Sequence, residues 1–235
     1  MQFFSTLEKI EHFCDTCQER TLHYRFASQV APFCAICSDR LATADQQQQR
    51  ELSYQRFKQS LLSETSVELE HVELTRKEGK QEVITYAHQI ACNSQNCTTK
   101  PNLLLFGSVG TGKTTHALYV ALYAYQKLGI KAQYVKSYAL VANIQPYLNS
   151  AMLIIDELHK AIRLYGEKPS EQDKTELYKL VEHRRNRKLP TIFISNYDKD
   201  GLLPSLGEEL YDRISDKHKT IGVHFCGESY RQIIV

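Results

Sequence analysis

The chain has 235 residues, of which 42% are hydrophobic and 24% charged, with a net charge of +2; this ordinary globular usage excludes general disorder and announces no nucleic-acid partner by charge alone. No apolar run approaches the roughly 20 residues that cross a bilayer, and Met1 to Ile10 lacks a basic region followed by a long apolar stretch. A soluble, cytoplasmic protein with no membrane association is expected, its seven cysteines kept as thiols that serve metals or packing.

Residues 1–40 hold four of those cysteines as Cys14-x2-Cys17 and Cys34-x2-Cys37, with 16 residues between the pairs. That spacing predicts a four-thiolate zinc site, and a full set of four ligands leaves no open position, so the metal is expected to be structural. The alternative is redox-active or unpaired cysteines. Cys92, Cys97 and Cys226 have no such arrangement, and His12 is a spare donor beside Cys14. Between the knuckles, Arg20, His23, Tyr24, Arg25 and Phe26 suit either a protein or a DNA contact. Residues 41–75 read as a helical linker: Leu41 to about Leu62 is polar and free of Gly and Pro, with a weak apolar stripe at Tyr54, Phe57 and Leu61.

Residues 76–235 read as an α/β domain. A helical pattern at Glu82 to Ala91 leads through a polar loop, Asn93 to Lys100, to Pro101. Leu103 to Phe106 is a short apolar run suited to a strand buried on both faces, and Lys113 to Leu128 is a helix closed by Gly129. Further strands are predicted at Ala132 to Val135, Met152 to Ile155, Thr191 to Ser195 and Thr220 to Phe225. The alternation implies a five-stranded, mainly parallel sheet with helices on both faces and ligands at the carboxyl ends of its strands.

Gly107-Ser108-Val109-Gly110-Thr111-Gly112-Lys113-Thr114 matches the P-loop pattern in full, between an apolar strand and a helix start. Its glycines let backbone N–H groups curl toward phosphates at a helix N-terminus. Lys113 is expected to neutralise the β and γ phosphates of ATP and Thr114 to ligate magnesium, while Thr115 adds a second hydroxyl. Met152 to Ile155 ends in Asp156 and Glu157. The first carboxylate suits magnesium and the second suits activation of the attacking water, so hydrolysis is expected as well as binding. Thr191 to Ser195 ends in Asn196, placed to orient that water.

Arg184, Arg185, Arg187 and Lys188 precede the Thr191 strand. Arg184 shares an apolar face with Leu177, Leu180 and Val181, as a structural residue or one that reaches a neighbouring subunit. The other three are free either to contact nucleic-acid phosphates or to complement a helix dipole. Arg213 lies in a helical pattern, Leu210 to Ile214, and is a candidate arginine finger; pairing with Asp212 or Asp216 is the other option.

Together, G-S-V-G-T-G-K-T-T, L-I-I-D-E, H-R-R-N-R-K-L-P-T-I-F-I-S-N, Y-D-R-I and E-S-Y-R resemble the DnaC-type replicative helicase loaders, which are AAA+ ATPases, over Glu82 to Val235. The IstB-type transposition helpers share most of these motifs. The resemblance implies an ATPase that self-associates, binds single-stranded DNA and contacts a hexameric replicative helicase, in a phage or mobile-element setting. It implies Asn196 as sensor 1 and Arg213 as the finger. With 22 residues beyond Arg213, no C-terminal helical lid is expected, and Arg231 is left to substitute for a sensor 2 arginine. Some loaders of this type carry a zinc module that docks on the helicase. A transposition helper, or a zinc-bearing DNA-binding adaptor using ATP as a structural switch, are the alternatives.

Overall fold

A computed structural model describes residues 8–14, 17–18, 20–26, 29–65, 67–91, 102–162, 164–165, 168–227 and 229. The chain divides into two compact units, 1–56 and 57–235.

In the first unit three strands, β1 (Glu8–Phe13), β2 (Arg20–Phe26) and β3 (Gln29–Cys34), form an antiparallel sheet in that order. Both outer strands run toward the start of β2, which brings the residues after Phe13 to the same edge as Cys34. Helix α1 (Ala35–Ser63) follows at once. The helix therefore starts earlier than its polar composition suggests, and Cys37 falls in its first turn.

In the second unit the end of α1 is amphipathic in effect if not in composition. Leu61 is buried, and the Phe57 ring stacks on Tyr125 at 4.4 Å. Next come α2 (Leu69–Glu78), which periodicity did not reveal, and α3 (Gln81–Ala91). The loop from Asn93 to Pro101, with Cys92 and Cys97, lies outside the described residues. The α/β core then runs β4 (Asn102–Gly107), α4 (Lys113–Leu128), β5 (Ala132–Lys136), α5 (Ser137–Leu140) and β6 (Met152–Asp156). After a small hairpin of β7 (Leu164–Tyr165) and β8 (Lys168–Pro169) it continues with α6 (Glu171–Asn186), β9 (Thr191–Ile194), α7 (Lys199–Leu206), α8 (Glu208–Ser215) and β10 (Thr220–Phe225). Among the described residues, no helix is long and apolar enough to cross a membrane.

Five strands form one sheet in the order β10-β4-β9-β6-β5, and every pair is parallel. The apolar runs mark the inner strands: β6 and β9 are buried at every position, whereas the edge strands β5 and β10 alternate. Strand alternation splits the core. Leu104, Leu153, Ile155 and Phe193 pack with Leu177, Leu180, Leu206, Leu210 and Ile214 from α6 to α8. The intervening residues face the other way, toward α4. Helix ends are fixed locally: Gly129 closes α4 in the left-handed region, and Ser170 and Asp198 accept backbone N–H groups at the starts of α6 and α7.

Arg184 is structural. It is 1% exposed, and its guanidinium donates to Thr191 Oγ1 at 2.9 Å and to the carbonyls of Tyr147, Ser150 and Pro190 at 2.9, 2.8 and 2.8 Å. Burial pushes its pKa down to about 10. One side chain thus ties the end of α6 to the segment before β6 and to the start of β9. Replacing it by Arg184→Leu removes all of these hydrogen bonds at once and is expected to lower unfolding free energy by roughly 3 kcal/mol in urea denaturation; a change below about 0.5 kcal/mol would refute that role.

Candidate nucleotide site

The P-loop connects β4 to α4 at the carboxyl edge of the sheet. Gly107 has φ 117°, and a Cβ there would lie 2.2 Å from the Phe225 carbonyl oxygen; Gly110 has φ 77°, and a Cβ there would strike the Ser229 side chain. Both positions need glycine for conformation and for space. Lys113 is buried, and its Nζ donates to the Gly107 carbonyl at 3.0 Å and to that of Ser108. Thr111 closes the loop by donating to the Ser108 carbonyl at 2.8 Å.

Strand β6 delivers the carboxylates. Asp156 Oδ2 accepts from Thr114 Oγ1 at 3.0 Å and from the Tyr134 hydroxyl at 2.8 Å, while Oδ1 accepts the Glu157 N–H at 2.6 Å. Burial, then the Asp156 charge, holds the Tyr134 phenol well above its usual range, so it stays a neutral donor. Glu157 sits at φ 55° and ψ 40°, an uncommon conformation for a residue other than glycine, with its carbonyl accepting from Ser137 Oγ at 2.7 Å. Its carboxylate pairs with Lys160 Nζ at 3.0 Å. Asn196, after β9, donates its N–H to His159 Nδ1 at 3.3 Å, and that imidazole packs on Tyr197.

Val109 to Thr115, Tyr134, Asp156, Glu157 and Asn196 line one cavity of about 810 Å³. It extends to Glu64, Glu68, His71 and Thr75 of the α1–α2 region, and burial raises the Glu64 carboxyl above its usual range. Ser108 belongs to the loop through the Lys113 and Thr111 contacts. Tyr134, Ser137, His116 and the α1–α2 wall carried no sequence motif; pairing of β5 with β6 brings in the first two.

Arg213 stands elsewhere. It borders a second hollow of about 400 Å³ with Glu182, Arg185, Lys188 and Lys219, and its Nε lies 3.5 Å from Glu182. Arg185 is not free for phosphates: it pairs with Asp216 at 2.8 Å and Glu182 at 3.6 Å. Arg187 donates to Asn149 at 2.9 Å, and Lys188 is exposed. Arg231 lies outside the described residues.

In the first unit the ligand atoms of Cys14, Cys17 and Cys37 lie within 4.8 Å of one another, with Cys14 and Cys37 buried. That cluster is a possible metal site. The side chain of Cys34 lies outside the described residues, although its backbone ends β3 one turn before Cys37.

His116, on the first turn of α4, pins the P-loop to the α2–α3 connection. Its Nδ1 meets the Gly112 carbonyl at 2.8 Å and its Nε2 accepts the Lys80 N–H at 3.1 Å, a pattern that needs the neutral ring. Burial presses its pKa below the usual imidazole range, outweighing the raising effect of the Gly112 carbonyl, and Lys80 lowers it further. The unfolded chain therefore gains a proton near pH 6.5 that the folded ring resists, so stability falls as pH drops below that value. His116→Gln is expected to lose less unfolding free energy than the parent between about pH 7 and 5.5, measured by urea denaturation; equal losses would exclude this linkage.

Residues 103–217 match the family model described as ATPase family associated with various cellular activities (AAA). Among curated proteins, none matches the sequence. Several solved structures share the fold. A candidate primosome component from Streptococcus pyogenes serotype M3 is 19% identical, with a TM-score of 0.52 over 67% of this chain and 85% of that one. DnaI is 20% identical, with a TM-score of 0.51 over 70% and 88%. Domain III of the Thermotoga maritima replication initiation protein DnaA is 17% identical, with a TM-score of 0.50 over 68% and 69%. The P-loop, the strand-end carboxylates and the parallel sheet that joins them thus fall largely within a stretch, residues 103–217, that matches the AAA ATPase family model as a domain.

Proposed function

We propose that this chain is an ATP-dependent helicase loader, which binds single-stranded DNA and delivers a hexameric replicative helicase during DNA replication. The observation that carries the ATPase part is the 3.0 Å contact between Thr114 and Asp156, because it closes a phosphate loop onto a strand-end carboxylate, the donor set that magnesium takes. Thr114 and Asp156 would hold the ion, which supplies charge neutralisation on the β and γ phosphates. Lys113 turns from the loop carbonyls to the phosphates. Asn196 orients a water, and Glu157, released from Lys160, takes its proton as the water oxygen bonds to the γ-phosphorus and ADP leaves.

The loader part rests on the motif series and on a fold held in common with a candidate primosome component, with DnaI and with a replication initiation protein. Arg213, away from its own cavity, would reach the nucleotide of a neighbouring copy. Cys14, Cys17, Cys34 and Cys37 would hold structural zinc, for which the three clustered cysteines are the right donors. The module they staple, residues 1–40, would dock on the helicase, with 41–75 as linker and 76–235 as ATPase domain.

Two outcomes are expected. Lys113→Ala should weaken ATP binding by about tenfold or more, whereas Glu157→Gln should keep binding and slow hydrolysis on the order of 10²- to 10⁴-fold, measured by titration with labelled ATP and by phosphate release. Unchanged turnover in Glu157→Gln would refute the assignment. Capture of the host replicative helicase by the full chain should be lost, together with bound zinc measured by elemental analysis, in the Cys14→Ser, Cys17→Ser double variant; capture that survives zinc loss would refute docking through the module.

A further inference from the structure

The Asp156 carboxylate is held by three donors from three directions. The Glu157 N–H takes Oδ1 at 2.6 Å, and the hydroxyls of Thr114 and Tyr134 share Oδ2 at 3.0 and 2.8 Å. These donors differ in what else they must do. The Glu157 N–H is backbone and moves only with the strained turn after β6. Thr114 belongs to the P-loop, and its hydroxyl is a proposed magnesium ligand, so its oxygen has to serve the ion. Tyr134 has no other assigned task.

Its position is set by the sheet. Strands β5 and β6 are parallel neighbours, with Lys136 opposite Asp156 and Tyr134 opposite Ile154. Tyr134 and Lys136 share one face of β5, and a phenol leaning along the strand from two residues back has the length to reach the carboxylate at the strand end. Asp156 is only 9% exposed, so little water is at hand to replace a lost donor. A neutral hydroxyl also suits this place, since a lysine there would hold the carboxylate but repel the cation.

On the proposed ATPase reading, we propose that Tyr134 is a positioning residue for magnesium: its hydroxyl keeps the Asp156 carboxylate aimed into the cavity when Thr114 turns to the ion. Tyr134 touches neither the nucleotide phosphates nor the metal in this role. It acts through Asp156, as partners of metal-binding carboxylates do elsewhere, where their loss weakens metal affinity about 10- to 100-fold.

The test separates metal from nucleotide. Binding of a fluorescent ATP analogue is titrated against magnesium for the parent chain and for Tyr134→Phe, and repeated in excess EDTA. The half-saturating magnesium concentration should rise on the order of tenfold in the variant, while metal-free binding stays within about twofold. With manganese in place of magnesium, the free-ion electron paramagnetic resonance signal should persist to correspondingly higher protein concentration. A magnesium requirement within about twofold of the parent overturns the proposal, as does an equal loss of binding with and without metal, which would mark Tyr134 as a general packing residue. Should Tyr134→Phe fail to melt cooperatively, Tyr134→Met carries the same comparison. A parent chain that binds no nucleotide would overturn the ATPase reading itself, whereas a parent that binds beside an unaltered variant overturns only the role of Tyr134.

Discussion

The contact between Thr114 and Asp156 spans 42 residues of sequence and 3.0 Å of space, and the rest of the core is arranged so that it can form. It requires that the first turn of α4 and the end of β6 meet, although β4 and β6 are not neighbours. Strand β9 lies between them, so the separation is fixed by two parallel pairings, β4 with β9 and β9 with β6. Those pairings are fixed in turn by uninterrupted burial of the apolar runs. The same ladder places Asn196 beside the cavity, because the turn after β9 opens between the P-loop and the carboxylates.

Two supports keep this edge in place from behind. Arg184 ties the segment before β6 and the start of β9 to α6 through backbone carbonyls, at the opposite ends of the strands from the cavity. His116 ties the P-loop helix to the α2–α3 connection. Each spends a polar side chain on backbone groups of segments distant in sequence. The sequence left Arg184 open between a structural role and reach to a neighbouring subunit, and its guanidinium goes to carbonyl oxygens within the chain.

Most of the core was legible because its signals are local. An apolar run closing on Gly-x4-Gly-Lys-Thr is strand, loop and helix at once, and the Met152 run ending in Asp156-Glu157 is a strand with its chemistry attached. All five strands and the helix at Lys113 to Leu128 stand where their periodicity puts them, and the sheet is wholly parallel where a mainly parallel one was expected. What composition could not show depends on partners distant in sequence. Tyr134 looks like any strand aromatic until β5 pairs with β6. Helix α2 has a polar, charged sequence with only Val72 and Thr75 buried among its described side chains, so it owes its place to packing on α4. The engagement of Arg185 with Asp216 depends on a turn 31 residues later.

The strand order has a further consequence for how the chain is made. Strand β4, the run Leu103 to Phe106, ends between β9 and β10, and those are the last two strands of the core to be synthesised. A growing chain therefore displays a bare apolar strand with two unpaired edges while nearly 90 more residues are added up to β9. Pairing of this kind is non-local and slow. Until it happens the phosphate loop has no rigid strand to spring from, so a partly made chain has no finished site and has its stickiest segment exposed. Vectorial synthesis thus leaves the nucleotide edge to the end, when β9 and β10 arrive to cover the two edges of β4.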